Sequence, residues 1–274
     1  MTTRPMLCPQ CGRLIGGDES CCSWCGAKRP SSWLAAAWTR GSLGGDVLVR
    51  AIITANVAYF ILSLLVSTRS VGGLLGILSP DDTGLSLLGA TGAVPVYQWG
   101  RAWTLITANY LHGGIIHILF NMMALRQIAP LVIQEYGTGR MFVIYTLGGV
   151  SGFWISCLAG VPFTIGASAA ICSLIGSLLY FGRSRGGAYG AAVYREVTGW
   201  VIGLALFGFL VPGINNWGHG GGIVSGIVLG MVLKYNERSR EKPLHRILAI
   251  FCAVMTVGTL AWAVFTTAMI RFGR

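Results

Sequence analysis

The strongest constraint on the fold of this chain is a series of apolar segments, each about as long as a membrane-spanning helix. We predict helices over residues 47–67, 112–133, 140–158, 166–181, 197–211, 216–235 and 247–270. A helix needs roughly 20 apolar residues to cross the hydrocarbon core of a bilayer, and none of these segments alternates as a barrel strand does. Only 11% of the residues are charged, against about 25% in a typical soluble domain. The sequence therefore predicts an all-α polytopic membrane protein with seven transmembrane helices.

The distribution of basic residues predicts how these helices are oriented. With the N-terminus in the cytoplasm, four of the 20 Lys and Arg residues lie on the outer side: Arg69, Arg101, Arg271 and Arg274. Cytoplasmic loops carry an excess of Lys and Arg. We therefore expect a multi-pass protein of the inner (cytoplasmic) membrane, with its N-terminus inside and its C-terminus outside. The same bias accounts for the net charge of +11, so no nucleic-acid partner is predicted.

Residues 1–29 predict a separate zinc-binding module. Four cysteines form two Cys-x-x-Cys pairs: Cys8 with Cys11, and Cys22 with Cys25. Four thiolates are the ligand set of a closed structural zinc site, which leaves no open position for catalysis. Cys21 could replace Cys22 as a ligand, and two disulfides are the alternative in an oxidising compartment. We expect this zinc ribbon either to bind a cytoplasmic partner or to be only a folded cap.

The remaining boundaries follow from the predicted helices. Residues 30–46 are expected to be a linker, either an interfacial helix lying on the membrane or a plain tether. Residues 47–235 would form a six-helix core, and residues 236–274 a basic loop with a seventh transmembrane helix. The loop over residues 68–102 is too apolar to be an ordinary solvated loop, so we expect it to dip partway into the bilayer against the protein.

A set of polar residues lies near the outer ends of the second, fourth and sixth predicted helices: His112, His117, Asn121, Ser168 and His219. Histidines within a membrane are costly and commonly functional, although any one of these residues alone could serve only in packing or in an interhelical hydrogen bond. Gly222 and Gly226 form a small-residue face that permits close helix contact, so a serine hydroxyl can reach an imidazole.

The acidic residues narrow the chemistry available to this set. None of the nine Asp and Glu residues lies deep in a predicted span. Ion transport is therefore disfavoured, and a Ser–His–Asp triad cannot form within the membrane. A nucleophilic Ser168 would have to work in a dyad with His219 as its base.

Three motifs in this order resemble those of the rhomboid intramembrane serine proteases. The HxxxN motif is His117 to Asn121, with the further family histidine at His112. The GxSx motif begins at Gly166 and contains Ser168, and the HxxGxxxG motif is His219 with Gly222 and Gly226. The resemblance covers roughly residues 47–235 and implies a rhomboid-like six-helix core, here followed by a seventh helix.

The resemblance also implies roles for these residues. Ser168 would be the nucleophile and His219 the general base, while His117, Asn121 and the Ser168 backbone N–H would stabilise the oxyanion. His112, Gly166, Gly222 and Gly226 would support them. The substrates implied are single-span transmembrane proteins in the lipid bilayer, cut near the outer membrane face. The alternative is a non-catalytic rhomboid-like scaffold or chaperone that binds transmembrane clients.

This chain departs from the common rhomboid pattern at two positions. Ala169 replaces the glycine that follows the serine in many active members, and its methyl group is expected to narrow the substrate pocket. Thr104 stands where many members have the arginine of a Trp-Arg pair. Neither departure removes a catalytic group.

Overall fold

The computed structural model describes residues 6–7, 14–16, 19–23, 26, 41–67 and 78–272. In the N-terminal module, the strands β1 (Met6–Leu7) and β2 (Leu14–Ile15) pair in antiparallel register. Three of the four predicted zinc ligands, Cys8, Cys11 and Cys25, lie outside the described residues, whereas Cys22 is buried. No metal-binding group of three or more His, Cys, Asp or Glu occurs among the residues that are described.

The described part of the chain from residue 41 onward is almost entirely helical. Its α-helices are α1 (Gly41–Val66), α2 (Asp82–Leu87), α3 (Thr104–Thr107), α4 (Ile115–Tyr136), α5 (Thr138–Leu158), α6 (Ser168–Arg185), α7 (Gly187–Leu210), α8 (Asn216–Leu233) and α9 (Pro243–Phe272). A π-helix at Val94–Gln98 and a 3₁₀ turn at Ala108–Tyr110 lie between α2 and α4. The prediction of a helical polytopic membrane protein is confirmed for the described residues.

Five of these helices are long and apolar enough to cross a membrane: Gly45–Val66, Ile115–Tyr136, Thr138–Leu158, Gly187–Leu210 and Pro243–Phe272. The helices α6 and α8, of 18 residues each, fall outside this set. Both contain glycines and polar residues. Helix α6 is packed among other helices, whereas α8 keeps apolar side chains such as Trp217 and Val224 exposed.

Helix α6 lies at the centre of the bundle. It contacts α4, α5, α7 and α8, and its side chains Leu174, Ile175 and Leu178 are completely buried. The apolar side chains that remain exposed lie largely on the outer helices, as at Phe209 on α7 and Ile247 on α9. An apolar exterior around a packed interior is the arrangement that a lipid environment stabilises.

Several boundaries differ from those predicted. Helix α1 begins at Gly41 and not at residue 47, so the last part of the predicted linker is helical. The predicted loop 134–139 is reduced to Gly137, whose positive φ of 89° ends α4 and starts α5 within one residue. Residues 183–195, a basic segment between the fourth and fifth predicted helices, are also largely helical, and Gly186 alone separates α6 from α7. Basic side chains can reach water from the end of a helix, so charge did not mark the loop.

The first loop is only partly irregular. Over the residues described, the predicted loop 68–102 contains α2 and the π-helix, and α3 follows it; α2 and α3 both pack against the C-terminal helix α9. Thr267 Oγ1 on α9 donates to the carbonyl of Leu87 at 3.1 Å, and Arg271 Nη2 donates to the carbonyl of Val66. The C-terminal helix is therefore an integral part of the bundle that supports the first loop.

A buried arginine joins three elements at the opposite end of the bundle. Arg140, at the start of α5, is fully buried and donates to the carbonyls of Leu233 (3.2 Å), Lys234 and Ser239 (2.9 Å). These carbonyls belong to the end of α8 and the connection that leads to α9. The Glu241 carboxylate accepts from the Arg140 backbone N–H at 3.2 Å, where a negative charge complements a helix N-terminus.

Candidate active site

The structure brings Ser168 and His219 into direct contact. Ser168 is the first residue of α6, and His219 lies in the first turn of α8. The distance between Ser168 Oγ and His219 Nε2 is 2.9 Å, although the residues are 51 positions apart. Both residues are half-buried. A hydroxyl within hydrogen-bond reach of an imidazole is the geometry required of a nucleophile and its base.

Glycines make this approach possible. A methyl group at Gly222 would lie 2.3 Å from the carbonyl oxygen of Ala169, and one at Gly226 would lie 1.9 Å from that of Ser173. Real Cβ atoms do not approach a backbone oxygen so closely, so no larger residue fits at either position without moving a helix. The two glycines therefore set the spacing between α6 and α8 that the Ser168–His219 contact requires.

The other ring nitrogen of His219 has no acidic partner. Its Nδ1 is buried and has no hydrogen-bond partner among the described residues. A triad would place a carboxylate at this atom to orient the ring. Among the described residues, the arrangement of Ser168 and His219 therefore has the form of a dyad.

His117 also lies close to Ser168, next to Gly166. Its Nδ1 accepts a hydrogen bond from the Gly113 backbone N–H at 3.3 Å, so the proton of the neutral ring is on Nε2. A methyl group at Gly166 would lie 2.8 Å from His117 Nε2 and 3.7 Å from Ser168 Oγ. Gly166 also has a positive φ of 122°, which only glycine adopts readily. An N–H donor and the serine hydroxyl thus face a common space next to Gly166.

Asn121 and His112 extend this arrangement. Asn121 is nearly buried, one turn below His117, and donates one amide N–H to the His117 carbonyl at 2.9 Å. An amide nitrogen carries a second N–H, which is the one that an oxyanion role would use. His112 is fully buried in the loop before α4 and packs edge-on against His117, with ring centroids 5.0 Å apart.

Comparison with known proteins identifies the family. A rhomboid domain matches residues 99–236, which is half of the chain. The chain belongs to the rhomboid family. All of the residues described above from His112 to His219 lie within the matched region.

Three rhomboid relatives illustrate the similarity. RHOMBOID-like protein 1 of Arabidopsis thaliana is 30% identical over 252 residues, covering 77% of this chain and 64% of that protein. RHOMBOID-like protein 4 of the same plant is 29% identical over 205 residues, covering 68% of this chain and 52% of that protein. Rhomboid protease GluP of Bacillus subtilis (strain 168) is 34% identical over 134 residues, covering 49% of this chain and 26% of GluP. The chain spans less than two thirds of the length of each.

The two departures from the common rhomboid pattern are both buried. Ala169 is 1% exposed, and its methyl group faces Gly152 of α5 within a small apolar cluster. The methyl group therefore lies at the contact between α6 and α5, and its effect on a substrate pocket stays a prediction. Thr104 is fully buried and shares a hydrogen bond of 2.9 Å with Thr91 Oγ1.

Sequence reasoning did not anticipate the asparagine at the start of α8. Asn215 is the N-cap of α8: its Oδ1 accepts from the Gly218 backbone N–H at 2.9 Å. An asparagine directly before a helical segment is a recognised start signal, so the position could have been found. Its contacts with other elements could not, because those residues are far away in the sequence.

Proposed function

We propose that this rhomboid is an intramembrane serine endopeptidase that cleaves transmembrane proteins with a Ser168–His219 dyad. The observation that carries the proposal is the 2.9 Å contact between Ser168 Oγ and His219 Nε2. The rhomboid domain match and the similarity to a bacterial rhomboid protease support the same type of function.

The chemistry is acyl transfer in two steps. Ser168 Oγ attacks the peptide carbonyl carbon, and His219 Nε2 takes the hydroxyl proton as the new O–C bond forms. The same imidazole then gives this proton to the amine as the C–N bond breaks, which leaves an acyl-enzyme. In the second step, His219 takes a proton from water as the water oxygen attacks the acyl carbonyl carbon. The imidazole then returns that proton to Ser168 Oγ as the acyl bond to the serine breaks.

The oxyanion formed in each step needs hydrogen-bond donors. His117 Nε2–H, the second N–H of Asn121 and the Ser168 backbone N–H are the donors in this proposal. The Ser168 N–H belongs to the first turn of α6, where backbone N–H groups have no partner within the helix. A helix N-terminus also favours negative charge.

The proposed substrates are single-span membrane proteins. Ser168, His219 and His117 all lie at the N-terminal ends of their helices, and we place these ends at the outer face of the inner membrane. This follows from seven spans with the N-terminus inside and the C-terminus outside. A substrate helix must unwind before its carbonyls can react. Small residues are expected at the cleavage site.

We further propose that residues 1–29 bind one structural zinc ion through Cys8, Cys11, Cys22 and Cys25. Four thiolates in two Cys-x-x-Cys pairs suit the tetrahedral preference of zinc. The ribbon would dock a cytoplasmic partner or regulate the core. The purified full chain should contain about one zinc ion by elemental analysis, and the double substitution Cys8→Ser with Cys11→Ser should lower this content without abolishing reaction at Ser168.

A non-catalytic scaffold that binds transmembrane clients is the alternative. Such a protein would need the helical bundle but not a serine in contact with a base. The Ser168–His219 pair therefore favours the protease over the scaffold.

The deciding experiment uses detergent-purified full-length protein with a model single-span substrate and a serine-reactive fluorophosphonate. We expect the wild type to cleave the substrate and to be labelled, and Ser168→Ala to do neither. Binding of the substrate by Ser168→Ala serves as the control for its folding. Equal cleavage by wild type and Ser168→Ala would contradict the dyad, and binding without cleavage by the wild type would favour the scaffold.

A further inference from the structure

The side chain of Asn215 connects three elements next to the dyad. Its Oδ1 accepts from the Gly218 N–H and caps α8, as described above. Its Nδ2 donates to Ser156 Oγ at the end of α5 (2.7 Å) and to Thr164 Oγ1 in the loop before α6 (2.8 Å). Two donors and one acceptor are thus engaged, which uses the hydrogen-bonding capacity of the amide almost fully.

The loop that holds Thr164 is itself connected to the first loop of the core. Thr91 and Thr164 exchange two backbone hydrogen bonds, of 3.1 and 2.6 Å. The hydroxyl of Thr91 bonds to that of Thr104 at 2.9 Å. A continuous chain of hydrogen bonds therefore runs from α3, through the loop before α6, to the first turn of α8.

This chain holds both members of the dyad. Thr164 lies four residues before Ser168, and the backbone carbonyl of Asn215 accepts from the His219 N–H at 3.1 Å. Ser156 is fully buried and Thr164 is 8% exposed, so these hydroxyls have little access to water as an alternative partner. Because the bonds cross between elements, they limit how far the start of α8 can move relative to the start of α6.

The next residue provides a natural comparison. The amide of Asn216 points to α7, where its Nδ2 donates to the Gly208 carbonyl at 2.9 Å. Among the described residues, this amide makes no hydrogen bond with the loop before Ser168. Two neighbouring asparagines at one helix end thus hold different elements, and only Asn215 joins α8 to the loop that leads to Ser168.

We propose that Asn215 is a positioning residue that keeps His219 within hydrogen-bond distance of Ser168 by tying α8 to Ser156 and Thr164. This inference rests on the proposed dyad. In this arrangement the Asn215 contacts take the place of a carboxylate at His219 Nδ1. They fix the start of the helix that carries the imidazole, and this limits the movement of the ring. Displacement of a catalytic group by about 1 Å can lower the rate by about 100-fold.

The test compares substitutions at Asn215 in the full-length protein. We expect Asn215→Ala to lower kcat and the rate of fluorophosphonate labelling by about 10- to 100-fold, with little change in KM. Asn215→Asp should restore most of both rates, because a carboxylate can still cap α8 and can accept from the hydroxyls of Ser156 and Thr164. Asn216→Ala should leave the labelling rate unchanged, since it removes only the bond to α7.

A second variant keeps the test valid if Asn215→Ala does not fold, as judged by its thermal unfolding in detergent. Thr164→Val conserves size and retains the helix cap, and it should lower the labelling rate by about 10-fold, whereas Thr164→Ser should not. Wild-type labelling rates in folded Asn215→Ala, or in Thr164→Val, would overturn the inference. If the wild type itself neither cleaves nor is labelled, the proposed function fails instead.

Discussion

At the scale of single residues, the function of this rhomboid depends on a few atoms placed around one serine. Ser168 Oγ has a base on one side, and the N–H donor of His117 faces the adjoining space. Each of these side chains makes a separable contribution, since one moves a proton and the other binds developing charge.

The oxyanion role of His117 predicts a selective loss of rate. His117→Ala should lower kcat by about 100- to 1,000-fold with little change in KM, because the donor acts mainly on the transition state. Steady-state cleavage of a model transmembrane substrate measures both constants. The thermal unfolding midpoint serves as the control for folding, and a change confined to KM would contradict the assigned role.

The dyad also predicts the sign of the pH dependence. His219 accepts a proton only when its imidazole is neutral, so the rate should fall as the pH decreases and the imidazole becomes protonated. Below the midpoint, the logarithm of kcat/KM should rise with pH with a slope of about one. Fluorophosphonate labelling of Ser168 should show the same midpoint, and labelling that does not depend on pH would exclude a titrating base.

At the scale of helices, the site depends on how closely α6 and α8 approach each other. Gly226 faces the Ser173 carbonyl with no room for a methyl group, whereas Gly220 on the same helix has nothing within 4 Å of a methyl group placed on it. The two positions differ in contact and not in backbone conformation, so they form a matched pair.

This pair predicts opposite outcomes for the same substitution. Gly226→Ala should lower the free energy of unfolding by about 1–3 kcal/mol and should slow the labelling of Ser168, because α8 must move away from α6. Gly220→Ala should be neutral, or stabilising by up to about 1 kcal/mol. Unfolding in a denaturing detergent and labelling kinetics measure both effects, and equal behaviour of the two variants would contradict the contact.

At the scale of the whole molecule, the bundle is held at both ends by polar contacts across elements. Asn215 connects α5, α8 and the loop before α6 at the end that carries the site. Arg140 connects α5 to the end of α8 and to the segment before α9 at the other end. Such bonds are strong where water is excluded, and leaving one partner unpaired there is costly.

Arg140 is therefore predicted to stabilise the bundle without taking part in the reaction. Arg140→Met leaves buried carbonyls unpaired and should lower the free energy of unfolding by roughly 3 kcal/mol. The exposed Arg195 on α7 is the matched control, and Arg195→Met should change stability by less than about 0.5 kcal/mol. Where Arg140→Met is still folded, Ser168 should be labelled at close to the wild-type rate, and a selective loss of labelling would contradict this role.

The sequence alone determined the all-helical membrane class and the family, because mean apolarity and short motif spacings are local properties of the chain. It also named the side chains that the structure gathers around Ser168. The helix break at Gly186 was not predictable from charge, since basic residues at a helix end can reach water without leaving the helix.

Only the tertiary structure decided the geometry. The decisive contacts join residues that are distant in the sequence. They are the 2.9 Å contact of Ser168 with His219, the contact of the Ala169 methyl group with Gly152 and the hydrogen bonds of Asn215. Such contacts depend on which helices pack together and how closely. Glycines that permit close approach and side chains that fill the remaining space set these distances across the whole bundle. Residue types thus specify what chemistry is available, whereas packing specifies which atoms meet.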